Sequence, residues 1–154
     1  MLDSYDEFNN WNNIGDKVLH IELRNWSNYM LIAPLSAHTL SKFANGLCDD
    51  TLSCVFRAWE FNGNTTKPVL VAPAMNTAMY NHPLTKQQLT TIQNFFTTST
   101  TTTTSKEQEQ QQERTTITII EPQSKLLACG DIGNGALASV DTIIQSVRNV
   151  ISMR

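Results

Sequence analysis

The sequence predicts an α/β domain built on a parallel sheet, and three observations carry that prediction. Two short apolar runs, Tyr29–Ala33 and Val69–Ala72, are each closed by a proline-led block. The blocks read Pro34-Leu35-Ser36-Ala37-His38-Thr39 and Pro73-Ala74-Met75-Asn76-Thr77-Ala78-Met79-Tyr80. Continuous apolar runs of this length are the mark of strands buried on both faces. Segments with helical spacing of apolar residues separate them, and that alternation builds a parallel sheet with helices on its faces, a three-layer domain. In open sheets of this kind ligands bind beyond the carboxyl ends of the strands, so the two blocks mark a binding site.

The elements follow in order. Residues 1–16, rich in Asn and Asp, form a loop with a short helical turn around Phe8 and Trp11. Val18 to Ser27 reads as a helix with Leu19, Leu23 and Trp26 on one face. The first strand is Tyr29–Ala33. His38 to Asn45 is helical through Leu40, Phe43 and Ala44, and Gly46 is its C-cap because glycine takes the left-handed conformation freely. Asp50 caps a helix over Thr51–Trp59, with Leu52, Val55, Phe56 and Trp59 facing inward. Asn62-Gly63-Asn64 is a turn, and the second strand is Pro68–Ala72. A helix runs from Pro83 to about Phe96, with proline at a tolerated first-turn position. Thr116–Ile120, almost all β-branched, is the third strand, and Leu126–Ala128 is a short fourth. Ser139–Ile151 closes the chain as a helix with Ile143, Ile144, Val147 and Val150 inward.

At 154 residues the chain is one domain's worth, residues 1–154, interrupted by a low-complexity insertion at 97–113. That tract of Thr, Ser, Gln and Glu has no apolar anchor, so ordering it would cost entropy with nothing to offset the loss. Hydrophobic residues make up 40% of the chain, enough for a core. A net charge of −3 and the lack of any basic cluster interleaved with aromatics argue against nucleic acid as a partner. Apolar stretches of about five residues fall far short of the roughly 20 a membrane span needs. The acidic start, Met1-Leu2-Asp3-Ser4-Tyr5-Asp6-Glu7, is unlike a basic targeting signal. The 3 cysteines, Cys48, Cys54 and Cys129, form no CxxC pair, which points to a reducing cytoplasm rather than a disulfide framework. Cys48 and Cys54 are expected in the core. No His, Cys and carboxylate cluster has metal-ligand spacing, so no metal is expected. Gly130-Asp131-Ile132-Gly133-Asn134-Gly135 does not have the spacing of a dinucleotide loop. His82 and Glu22 read as surface or capping residues, and Asp131 reads equally as an exposed loop carboxylate or a substrate contact.

Several motifs, in order, carry a family resemblance. They are Trp11-Asn12-Asn13-Ile14-Gly15-Asp16, Val18-Leu19-His20-Ile21-Glu22-Leu23-Arg24, the two proline-led blocks, Gly46-Leu47-Cys48-Asp49, and the stretch from Leu127-Ala128-Cys129-Gly130 to Ala136. This text, covering well over half the chain, resembles the phosphopantothenoylcysteine decarboxylases, within the flavin-dependent cysteine decarboxylases. The resemblance implies a flavodoxin-like (Rossmann-like) three-layer fold, FMN as cofactor, and a homotrimer or a mixed trimer with its active sites at the subunit interface. Three departures accompany it. His38 stands where the first block usually carries Asn, and Tyr80 replaces the usual Trp. The family's opening strand and the Gly/Ser turn that holds the FMN phosphate have no counterpart here, so an N-terminally truncated version of the fold is expected.

The resemblance also implies a chemistry, the decarboxylation of 4′-phosphopantothenoylcysteine to 4′-phosphopantetheine in coenzyme A biosynthesis. A cysteine carboxylate cannot lose CO2 until an electron sink exists, and oxidation of Cβ–SH to a thioaldehyde by flavin supplies one. Decarboxylation then gives an enethiolate that is reduced and protonated to the thiol. Such a site needs a base or orienting imidazole, a carboxylate anchor without negative charge, and a final acid. By resemblance His20, Asn76 and Cys129 take these roles in turn. Ser36, Ala37, His38 and Thr39 line the flavin, and Asn76, Met79, Ala128 and Gly130 meet the substrate. Read alone, His20 could be a histidine on an exposed helical turn, Asn76 a helix N-cap and Cys129 a buried small hydrophobe. The glycines Gly130, Gly133 and Gly135 around Cys129 fit a recognition flap. A non-catalytic subunit or regulatory binding protein of the same family is the alternative function.

Overall fold

A computed structural model describes residues 12–60, 67–96, 117–126 and 132–152. The expected turns around Phe8 and Asn62, the 97–113 tract and the segment 127–131 with Cys129 lie outside the described residues.

Three parallel strands form the sheet in the order β1 (Met30–Leu35), β2 (Val69–Pro73) and β3 (Ile117–Ile119). Val69 faces Met30 on one side and Ile117 on the other. β2 is central and every residue in it is buried, which is why its sequence is continuously apolar rather than alternating. β1 extends two residues beyond the expected Ala33, through a cis Ala33–Pro34 peptide and a register shift between Ile32 and Leu35.

Helices lie on both faces, but β1, expected to be buried on both, is an edge strand of this sheet buried on one face only. Its Leu31, Ala33 and Pro34 are exposed on the side that, among the described residues, no helix covers. Alternation along β2 sends Val69 and Val71 to one face and Leu70 and Ala72 to the other. On the first face the core holds Met30, Ile32, Leu40, Phe43, Val55, Phe56, Trp59 and Ile92. It joins the sheet to α2 (Ala37–Asn45), α3 (Thr51–Arg57) and α5 (Pro83–Asn94), with Leu23 of α1 (Leu19–Trp26) packed at its margin. On the second face Leu70, Ala72 and Ile120 meet Ile143, Val147 and Val150 of α6 (Val140–Ser152). A short helix α4 (Thr77–Tyr80) follows β2.

Local chemistry sets the helix ends. Asp50 and Ser53 form a reciprocal capping box at the start of α3, with Asp50 Oδ1 accepting from Ser53 N at 2.8 Å. Gly46 ends α2 in the left-handed region at φ 72°, as its position implied. His82 Nδ1 accepts from Leu84 N at the start of α5, so the histidine is a surface cap.

Four expected placements differ. Trp26 is 80% exposed, because α1 is only two turns long, has no fully buried residue and meets the core through Leu23. Leu52 faces solvent because the capping box turns Ser53 inward at that end of α3. Ile144 is on the flank of α6, outside the one-residue-wide stripe of Ile143, Val147 and Val150. Cys48 is exposed in the link between α2 and α3, whereas Cys54 is buried as expected.

The largest departure is at the predicted fourth strand. Gln123–Leu126 (β4) pairs antiparallel with Ile132–Ala136 (β5), forming a separate hairpin. Its polar residues Gln123, Ser124 and Lys125 carry no strand signal of their own, and the pairing across the hairpin is what makes them extended. Gln123 Nε2 donates to Leu137 O at 2.6 Å and Ser124 Oγ to Asn134 Oδ1 at 2.6 Å, holding the two arms together.

Candidate active site

The carboxyl ends of β1 and β2 lie side by side because Ala74 N donates to Leu35 O at 2.9 Å. This bond joins the two proline-led blocks into one rim. At the end of β1, Ser36 is the N-cap of α2. Its Oγ accepts from Thr39 N at 3.1 Å and lies 3.0 Å from Thr39 Oγ1. The cap satisfies one of the orphan amides at a helix start and leaves those of Ala37 and His38 directed off the end. No acidic residue stands in that first turn, and the His38 side chain is exposed. The arrangement suits an anionic or acceptor-rich group.

At the end of β2, Asn76 caps α4, its Oδ1 accepting from Ala78 N at 2.8 Å. Capping therefore engages the carbonyl half of the amide and leaves the Nδ2 donors for a ligand. The two readings of this residue, cap and carboxylate anchor, are compatible. Thr85 Oγ1 donates to Met79 O at 2.6 Å and so holds α4 against α5, while the Met79 side chain stays exposed at the rim.

The hairpin docks on the same block. Met75 N donates to Gly135 O at 2.9 Å. Gly135 has φ 101°, and a Cβ built there would lie 2.7 Å from Met75 O and 3.0 Å from Tyr80 Cβ. Only glycine fits this seat. Tyr80 Oη donates to Glu121 Oε2 at 3.2 Å, tying α4 to the link that enters β4. Burial pushes the Tyr80 phenol up, with the Glu121 charge adding to the shift, so it is a donor at neutral pH. The glycine spacing signals Gly135 in the sequence, but nothing there signals Glu121 or Gln123 as its supports.

His20 stands in the first turn of α1, which packs on α3. The other end of α1 is fixed near the start of β2, where Lys67 Nζ donates to Arg24 O at 2.8 Å. The imidazole is partly buried, and that burial pulls its pKa below the ordinary histidine value, keeping it neutral at pH 7. The structure thus brings Ser36, Ala37, His38, Thr39, Asn76 and Met79 to one rim with the hairpin above it and puts His20 on a separate helix. Ala128, Cys129 and Gly130 belong to the 127–131 segment between the arms of that hairpin, outside the described residues.

Among the described residues no group of three or more His, Cys, Asp or Glu side chains could hold a metal ion, and no helix is long and apolar enough to cross a membrane.

A parallel sheet with helices on both faces, a rim at the carboxyl ends of two adjacent strands and a glycine-seated hairpin over it define an α/β domain of the flavoprotein type. The flavoprotein family model matches residues 3–152, and the chain belongs to that family. It is 47% identical over 143 residues to a phosphopantothenoylcysteine decarboxylase of Arabidopsis thaliana, a match covering 93% of this chain and 57% of the relative. Among solved structures it resembles a Cys-to-Ser mutant of PPC decarboxylase complexed with pantothenoylaminoethenethiol, at TM-score 0.76 and 44% identity, over 97% of this chain and 69% of the other. An FMN binding protein matches at TM-score 0.75 and 44% identity, over 99% and 69%. The chain spans about three fifths of the length of the curated relatives it matches.

Proposed function

We propose that this chain is a flavoprotein-type domain, interrupted at 97–113, that works in FMN-dependent decarboxylation of 4′-phosphopantothenoylcysteine to 4′-phosphopantetheine, in the cytoplasm and as a homotrimer. The observation that carries the reading is the joining of the two proline-led blocks and the β4–β5 hairpin at one rim, through the Ala74–Leu35 and Met75–Gly135 bonds. A solved relative of 44% identity is complexed with pantothenoylaminoethenethiol, whose enethiol is the oxidised and decarboxylated counterpart of a cysteine end.

The rim fits FMN: the N-terminus of α2, the Ser36 and Thr39 hydroxyls and the absence of acid in that turn suit an anionic, acceptor-rich group. Bound flavin would supply the two-electron oxidation that gives the carboxylate its electron sink and, after CO2 loss, the two electrons that return the enethiolate to the saturated thiol. The protein supplies the rest. His20, neutral at pH 7, accepts the proton released when the thiol is oxidised. Asn76 presents Nδ2 to the substrate carboxylate without adding a like charge. Met79, with Ala128 and Gly130 of the 127–131 segment, meets the pantothenoyl arm of the substrate. Cys129 gives the last proton.

The test uses a flavin-loaded preparation. Cys129→Ser should still release CO2, but the hydroxyl is a far weaker acid than the thiol, so the final protonation stalls. A product lighter by two hydrogens than 4′-phosphopantetheine then accumulates in the mass spectrum. Normal saturated product from Cys129→Ser, or no CO2 at all, would refute the assignment. A non-catalytic subunit is the second reading, favoured by His38 in place of the family's Asn; it requires a colourless protein that releases no CO2 even with FMN supplied.

A further inference from the structure

We propose that a second ligand site, for a small aryl carboxylate, lies at the far end of α2 from the active-site rim. A pocket of about 210 Å³ opens where the last turn of α2, α3 and the residue after α5 converge. Its floor is aromatic: Phe43 and Phe56, both buried, stack with ring centroids 3.9 Å apart and planes 6° from parallel. Phe95 and Leu47 form the rim, 38% and 54% exposed. The hydroxyl of Ser53, the one neutral polar side chain in the wall among the described residues, is already committed, donating to Asp50 O at 2.9 Å and accepting from Asp50 N at 3.1 Å. A body entering this pocket must therefore be apolar, and the ring faces favour an aromatic one.

The charge at the mouth chooses its head group. Arg57 lines the pocket, and its guanidinium lies over Gly46, where a Cβ would stand 3.8 Å from Nη1. The two carboxylates of the link between α2 and α3 are both engaged by Lys42, whose Nζ lies 2.6 Å from Asp49 and 2.6 Å from Asp50. Among the described residues Arg57 has no ion-pair partner. A planar guanidinium beside an apolar slot matches a carboxylate on a short aryl stem, held bidentately at the mouth. The pocket is separate from the rim that Ser36 and Asn76 form, so the inference does not depend on the decarboxylase reading.

The test is a titration of the full ¹⁵N-labelled chain with 3-phenylpropionate, read by backbone amide shifts. The expected result is saturable shifts at Gly46, Leu47, Arg57 and Phe95, with those of Ser36–Thr39 and Asn76–Tyr80 unmoved. The neutral analogue 3-phenylpropanamide on the same protein, and 3-phenylpropionate on Arg57→Gln, should each bind roughly tenfold or more weakly, the scale of one charge-assisted contact. Equal binding of acid and amide, equal binding by Arg57→Gln, or shifts confined to the Asn76 block would overturn the proposal. Concentration-dependent broadening at the pocket amides without added acid would put a second copy of the chain there and overturn it equally.

Discussion

Asn76 serves structure with one half of its amide and, in the proposed reaction, substrate with the other, and substitutions can separate the two. Asp caps a helix as well as Asn, so Asn76→Asp should change stability by no more than about 0.5 kcal/mol. It also sets a like charge against the substrate carboxylate, so CO2 release should fall by roughly a hundredfold or more. Asn76→Ala should instead cost about 1 kcal/mol of stability in a denaturant melt, because the cap to Ala78 N is lost. His20 gives a pH signature. Burial depresses its folded pKa, so the imidazole is the neutral base at pH 7 and gains its proton only below the ordinary histidine value of about 6.5. The acid limb of kcat/KM for a flavin-loaded preparation should therefore lie below pH ~6.5, and His20→Asn should remove it along with the activity. The same sign applies to stability: the contribution of this group is present above the unfolded pKa and lost as pH falls through the folded one.

At the scale of elements, the hairpin is seated by sterics more than by hydrogen bonding. Gly135→Ala would drive a methyl into Met75 O, a backbone atom that cannot rotate away, at a left-handed φ that alanine disfavours. It should destabilise the chain by about 1–3 kcal/mol and speed hydrogen exchange at the Met75 amide. Tyr80→Phe removes only the bond to the exposed Glu121 carboxylate and should shift stability by about 0.5 kcal/mol or less. An equal loss in the two variants would contradict the steric account. The link between α2 and α3 is electrostatic. Lys42 is held above its ordinary value chiefly by its bond to Asp49 and then by Asp50. Burial works to raise the Asp50 carboxyl, but Lys42 and the Ser53 amide and hydroxyl together hold it below the usual range. The Asp50 contribution is present above pH ~4 and is lost as pH falls through its lowered pKa. That of Lys42 is present below about pH 10.4 and is lost as pH rises through its raised one. Lys42→Met should flatten both limbs of the melting temperature against pH.

For the molecule as a whole, two expectations bear on assembly. A trimer with interface active sites predicts that the chain sediments as a trimer at micromolar concentration and that flavin retention falls as it is diluted to monomer. Deleting Ser99–Gln112 should leave the melting temperature, sedimentation and CO2 release within error, because a tract of Thr, Ser, Gln and Glu supplies no apolar surface to bury. Loss of the trimer on deletion would assign that tract a role its composition does not predict.

The strands β1 and β2 and the caps at Asp50 and Gly46 were legible in the sequence because each is signalled by residues close together in the chain. The continuous apolar run announces a strand covered on both faces correctly for β2, whereas β1, with an equally apolar run, is buried on one face only. The roles proposed for His20, Asn76 and Cys129 rest on the family resemblance, because periodicity alone leaves them open. Tertiary structure decided what depends on residues far apart in the chain. Gln123–Leu126 is a strand only because Ile132–Ala136 pairs with it. Leu52, Ile144 and Trp26 carry apolar side chains at helical spacing, yet face outward because each helix meets the core along a narrower stripe than its composition offers. Gly135 became an irreplaceable seat only when the fold brought Met75 and Tyr80 against it. Local propensity is written in neighbouring residues, while pairing, facing and close approach are properties of the packed whole.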